Sequence, residues 1–311
     1  MIILISMLLF STVEVEPIKI KFASVEEAKQ LLSTEDAFTD AWSAFDIDSR
    51  IGKAGSSKSD LLTFVTEQAL EWTTEEKTKL SAALARIHKS TADQNLTLKL
   101  DEAVTLVKTT AKEEGGALGY TRANYIVLAE SFCNLSEEQI DKTLVHELFH
   151  VISRTNPELR KKLYALIGFH LMPSIDYPEA LKPFRITNPD ATQTDTYIKV
   201  KVGSEGEEVT CMMILYAKGN YEGGSFFKYL NIGFLKLEGV QSKHPVVADE
   251  GPVIYRMDEV ENFFDQVGSN TQYIIHPEEI MADNFSFAIL GREGFPNQEL
   301  IESIKSVLKS N

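Results

Sequence analysis

The sequence predicts an α+β fold, and three observations carry that expectation. Helical periodicity runs through most of residues 16–95. β-prone runs then lead directly into a well-capped amphipathic helix. A stretch from about 173 to 257, richer in Gly, Pro and Tyr, holds two further β-like runs. The 311 residues suffice for one large domain or two modest ones, and 43% hydrophobic with 25% charged residues is the balance of a globular chain.

Taken in order, residues 24–48 read as helical. Ser24 can cap Val25-Glu26-Glu27, and Ala28, Leu31, Leu32, Phe38 and Trp42 recur on one face. Gly52 to Ser59 is small and polar, hence a loop. Helices follow at about 60–71 and 74–91, the second capped by Thr73 or Thr74 with Leu80, Leu84 and Ile87 on one side. Leu96 to Leu100 alternates, Val104 to Val107 is β-prone, Lys112 to Gly119 is a glycine-rich turn, and Tyr120 to Leu128 reads as a strand. Ser136 and Gln139 form a capping-box pair with Glu137 and Glu138 in the first turn. Ile140, Leu144, Leu148 and Val151 then repeat at helical spacing up to a stop before Pro157.

Tyr197 to Val202 and Val209 to Tyr216 are the β-like runs of 173–257, which is read as an insertion with hairpins. His276-Pro277 opens a later helix, with proline at its first position and Ile280, Phe287 and Leu290 as apolar positions. The expected organisation is a signal-like segment at 1–15, a helical N-terminal region at 16–95, a main α+β domain at 96–295 containing the insertion, and a C-terminal helix at 296–311.

The net charge of −15 argues against a nucleic-acid partner, because backbone binding needs clustered Lys and Arg. It implies a solvated acidic surface. The apolar run Ile2 to Phe10, followed by Ser11-Thr12, resembles the centre of a secretory signal. No basic residue precedes it and no small-x-small site follows it. A secreted or periplasmic location and a cytoplasmic one, with the run as a buried strand, both stay open. The run is too short to span a bilayer, and no other segment suits stable membrane insertion. Cys133 and Cys211 lack the paired spacing of a zinc or redox motif, and one disulfide or two free thiols fit equally. The oligomeric state is not set by the sequence.

The chemistry concentrates in His146-Glu147-Leu148-Phe149-His150, an H-E-x-x-H motif. On a helix, positions i and i+4 share a face, so both imidazoles can reach one ion. Glu147 lies beside the first of them and can take a proton from a water that the ion polarises. Catalytic zinc takes three protein ligands, so one is missing. Glu279 and Asp283 stand four apart in Glu279-Ile280-Met281-Ala282-Asp283. The expectation is Glu279 on the metal and Asp283 holding the free N–H of His146. His170, Glu158 and His276 compete for the third place. Tyr255, Arg256, Tyr273 and His276 are candidates for stabilising an oxyanion, and Arg154 and Arg185 for holding a substrate carboxylate.

H-E-x-x-H followed downstream by E-x-x-x-D resembles the gluzincin metallopeptidases, the thermolysin-like clan. The phrases YTRANYIVL, HELFHVISR and HPEEIMADNF also resemble a group of uncharacterised bacterial proteins with both motifs. The resemblance implies a zincin-like catalytic domain over 96–295, with zinc held by His146, His150 and Glu279. Glu147 would then be the general base, Asp283 would orient a ligand histidine, and the strand Tyr120 to Leu128 would be the edge strand that pairs with extended peptide. The pattern departs from thermolysin in the long 151–278 segment between His150 and Glu279, which requires an insertion. The expected activity is hydrolysis of a peptide or protein substrate by activated water. The alternatives are a zinc hydrolase acting on another amide or ester, and an inactive binding protein on the same fold, against which the intact Glu147 argues.

Overall fold

The computed structural model describes residues 18–240 and 242–310, so the run Ile2 to Phe10 lies outside the described residues. Among those residues the chain is α+β. Its elements begin with β1 (Ile20–Phe22), α1 (Val25–Ser33), α2 (Ala37–Asp40), α3 (Ala44–Ile51), α4 (Lys58–Glu67), β2 (Ala69–Leu70) and α5 (Thr74–Asp93). They continue with β3 (Val104–Thr109), β4 (Gly119–Arg122), β5 (Tyr125–Ala129), α6 (Glu137–Thr155) and α7 (Pro157–Ala165). β6 (Phe169–Leu171), β7 (Thr196–Val202), β8 (Glu207–Tyr216) and β9 (Asn231–Glu238) precede α8 (Phe263–Val267), α9 (Pro277–Ile289) and α10 (Gln298–Lys309).

The first sheet has the order β1-β3-β5-β4, with β2 added beside β3. β1 and β5 run parallel to β3, while β4 runs antiparallel to β5 and forms the outer edge. The region expected to be helical, 16–95, therefore contributes two strands to this sheet. Residues 169–255 build a second sheet of antiparallel pairs around β6 to β9, extended by 244–245 and 254–255. Leu80, Ala83, Leu84 and Ile87 of α5 share one buried core with Ile140, Leu144, Leu148 and Val151 of α6 and with the apolar residues of α9.

Several boundaries differ from the sequence reading, each for a local reason. The 24–48 helix is three helices. Asp36 accepts from the N–H groups of Phe38 and Thr39 at 3.0 and 3.1 Å, and Ser43 accepts from Asp46 N–H at 2.9 Å. These short polar side chains compete for backbone donors and start new helices. The 60–71 helix stops at Glu67 because Ala69 and Leu70 pair with Thr109 and Lys108. Leu96 to Leu100 is not a strand; Leu96 is buried as the chain leaves α5. Tyr120 to Leu128 is a hairpin rather than one strand, turning at Ala123-Asn124 with Ala123 at φ 43°. Cys133 and Cys211 are free thiols. No helix of the described residues is long and apolar enough to cross a membrane.

One helix sets up the chemistry. Every residue of α9 is buried, and three of them are Glu278, Glu279 and Asp283. Buried carboxylates are costly unless paired and hydrogen-bonded, so α9 needs cationic or donor groups from its neighbours. α6 packs along it and supplies two histidines.

Candidate metal centre

The α6 side of the site is fixed by its start. Ser136 accepts from Gln139 N–H at 3.3 Å, and the Gln139 side chain returns to Ser136 N–H at 3.2 Å. From that start, helical phase turns His146 and His150 toward α9, where Phe149 packs on Phe285 with ring centroids 5.1 Å apart. α9 starts at His276, whose Nδ1 accepts from Glu278 N–H at 3.1 Å.

The two imidazoles meet three carboxylates. His146 Nε2 lies 3.0 Å from Glu279 Oε2, and His150 Nε2 lies 3.6 Å from the same oxygen. His146 Nδ1 faces Asp283 Oδ1 at 3.0 Å, and His150 Nδ1 faces Glu278 Oε1 at 3.1 Å. With each Nδ1–H given to an acid, both Nε2 atoms are left to converge on Glu279. Donor atoms of His146, His150 and Glu279 lie within 4.8 Å of one another. His150 Nε2 is buried with no hydrogen-bond partner. An unpartnered buried nitrogen beside a carboxylate and a second imidazole fits a divalent ion of the zinc type, for which two nitrogens and one oxygen are an ordinary donor set.

The acids are themselves held. Asp283 lies 3.0 Å from Lys142 Nζ and accepts the Thr271 hydroxyl. Glu278 takes the hydroxyls of Ser153 and Tyr164, and Glu279 Oε1 accepts from Asn188 Nδ2 at 2.6 Å. Burial alone would lower the pKa of His146, but its bonds to Asp283 and Glu279 hold the ring well above the usual histidine range. Burial likewise opposes ionised Glu278, yet the bond to His150 and the charges of His150 and Arg160 hold it down at about 2. The field at this point favours positive charge.

Glu147 is 3% exposed and points toward β4, where Thr121 Oγ1 donates to its Oε2 at 2.8 Å. Burial, with the nearby charge of Asp190, raises its pKa to about 7. Gly119 lets the strand come this close, since a Cβ there would stand 3.1 Å from Glu147 Oε1. Asp190 joins from the 187–195 segment: it accepts from Thr121 N–H at 2.5 Å and groups with Glu147 and His150 within 4.8 Å.

The other sequence candidates fall elsewhere. His170 is exposed with its ring tilted against Tyr197, Glu158 is exposed on α7, and His276 serves as the cap of α9. Of the four oxyanion candidates, Tyr273 lies beside the site, its ring centroid 5.9 Å from that of His146. Tyr255 belongs to the second sheet and Arg256 pairs with Asp258. Arg154 donates to backbone carbonyls, and Arg185 covers the Tyr177 ring.

Glu278, Asp190, Asn188 and Thr121 were not anticipated. Glu278 had a signal, being the neighbour of Glu279 on a helix that also carries Asp283. Asp190 had none, because it sits in irregular chain within the expected insertion. Compared with protein-family models, curated proteins and solved structures, the chain matches none.

Proposed function

We propose that the chain is a zinc-dependent hydrolase of the gluzincin type that cleaves peptide bonds. The observation that supports this best is the convergence of His146 Nε2, His150 Nε2 and Glu279 Oε2, with Glu147 facing the same space. His146, His150 and Glu279 would hold the ion, while Asp283 and Glu278 fix the two rings through their Nδ1 atoms. The ion supplies Lewis-acid polarisation of water and of a carbonyl.

Glu147 takes the proton of the attacking water and returns it to the leaving amine. Its raised pKa suits both directions of transfer near neutrality. β4 lies at the sheet edge, where an extended chain would pair with it, the ordinary way an edge strand captures peptide. Tyr273 brings a hydroxyl-bearing ring to the same face.

Metal analysis of the purified protein tests the grip. Zinc should be near stoichiometric and lost in His146→Ala. Glu147→Gln should keep zinc while its turnover of a peptide library falls by about 100-fold or more. A fully active Glu147→Gln, or a chain that takes no zinc, overturns the proposal.

A further inference from the structure

We infer that segment 187–195 is a closing strap over the site, and that its Asp190 carboxylate occupies the place of a substrate carbonyl. The inference rests on the peptidase reading above and adds to it that the site as built is latent.

The first ground is what Asp190 touches. β4 is the outer edge of its sheet, and Thr121 N–H points away from β5. An extended substrate would use that donor, and Asp190 Oδ1 holds it at 2.5 Å. The same carboxylate lies within 4.8 Å of donor atoms of Glu147 and His150, where the scissile carbonyl must come to be attacked. One side chain thus satisfies both contacts that would hold a substrate in register. Two residues earlier, Asn188 donates to Glu279 at 2.6 Å and covers the third donor.

The second ground is space. His150 and Glu279 are 0% exposed and Glu147 3%. Two cavities adjoin: one lined by Gly119, Tyr120, Asn188 and Tyr273 measures about 90 Å³, and one lined by Ser153, Arg154 and Glu278 about 210 Å³, with Asp190 bordering both. Binding clefts for small organic ligands run to roughly 300–1,000 Å³. A peptide cannot reach Glu147 unless the strap moves.

The third ground is how the strap is fastened. Its ends are pinned by charge: Thr187 donates N–H and hydroxyl to Asp46 at 3.1 and 2.7 Å, its carbonyl accepts from Arg50 at 2.7 Å, and Asp195 pairs twice with Arg160 at 2.6 and 2.8 Å. Between them, Arg154 bridges the Ala123 carbonyl of the hairpin at 2.9 Å to the carbonyls of Pro189 and Asp190 at 3.4 and 3.2 Å. Fixed ends with a middle held by a few polar contacts describe a segment that lifts without unfolding the domain.

The test uses the zinc-loaded full chain and acetohydroxamate, a small anionic zinc chelator, as probe. Calorimetry gives its affinity for the unaltered protein and for Asp190→Ala and Asp190→Asn. If fewer than about one molecule in ten is open, freeing the strap tightens binding by about tenfold or more, and kcat/KM on a peptide library rises likewise. Asp190→Asn loses the charge but keeps an oxygen for Thr121 N–H, so it shifts both values the same way to a smaller extent and covers the case in which Asp190→Ala misfolds. Unchanged acetohydroxamate affinity with zinc fully bound overturns the strap and leaves the peptidase reading standing. A chain that takes no zinc overturns both.

Discussion

His150 Nδ1 and Glu278 Oε1 lie 3.1 Å apart, joining the second histidine of the motif to the second residue of α9. The pairing parallels that of His146 with Asp283 at 3.0 Å, so each ring is anchored on one nitrogen and presents the other inward. Such partners fix the tautomer and raise the basicity of a ligand. Glu278→Gln and Asp283→Asn are each expected to weaken zinc binding by about 10–100-fold while leaving the fold intact. Competition against a chelator of known affinity measures this, and an unchanged affinity in both variants rules the orienting role out.

Acid should unfold the protein partly through Glu278. Its carboxyl is held at about 2 in the folded chain, against an ordinary 4.5. A depressed carboxyl contributes stability that is present above the ordinary value and is lost as pH falls from there toward 2. A shift of that size corresponds to about 3 kcal/mol as an order of magnitude. Thermal melts of Glu278→Gln should therefore change less than those of the unaltered protein across that window. Parallel melting curves would contradict the assignment.

Zinc and protons should compete. His146 is held protonated well above the usual histidine range by its bonds to Asp283 and Glu279. A ligand ring must shed its proton to take a metal, so affinity should fall as pH drops through that raised range. Calorimetry at pH 6 in two buffers of different ionisation enthalpy should show net proton release on zinc binding. Identical heats in both buffers would exclude it.

Arg50 is buried among Asp46, Glu114 and the Thr187 carbonyl. Arg50→Met leaves two buried carboxylates without their cation, and breaking a buried pair costs about 3–5 kcal/mol. Denaturant titration should show a loss of that size, with Arg50→Lys intermediate. A loss under about 1 kcal/mol would mean that the two acids find other partners.

The fold class, the α6 cap and the start of α9 were legible because each rests on local chemistry. Ser136 with Gln139 and Pro277 after His276 act within one turn of chain. The hairpin inside 120–128 was hidden because Ala123-Asn124 lacks the glycine that usually marks such a turn, and Ala123 takes a positive φ nonetheless. His146, His150, Glu279 and Asp283 were readable as a set because helical spacing places each pair on one face. Glu278 was passed over although it lies on the same helix. Asp190 could not be read at all, since what brings it to Thr121 is the path of an irregular segment and not any periodicity.

The donors of α6 and α9 that meet at His146 and Glu279 are separated by 133 positions of chain. A growing polypeptide therefore displays its imidazoles long before the acids of α9 stand opposite them. A nascent chain halted before Pro277 contains the whole H-E-x-x-H motif and none of the counterpart acids of α9. Under the proposed metal grip, the third donor joins the two rings only once α9 has been made.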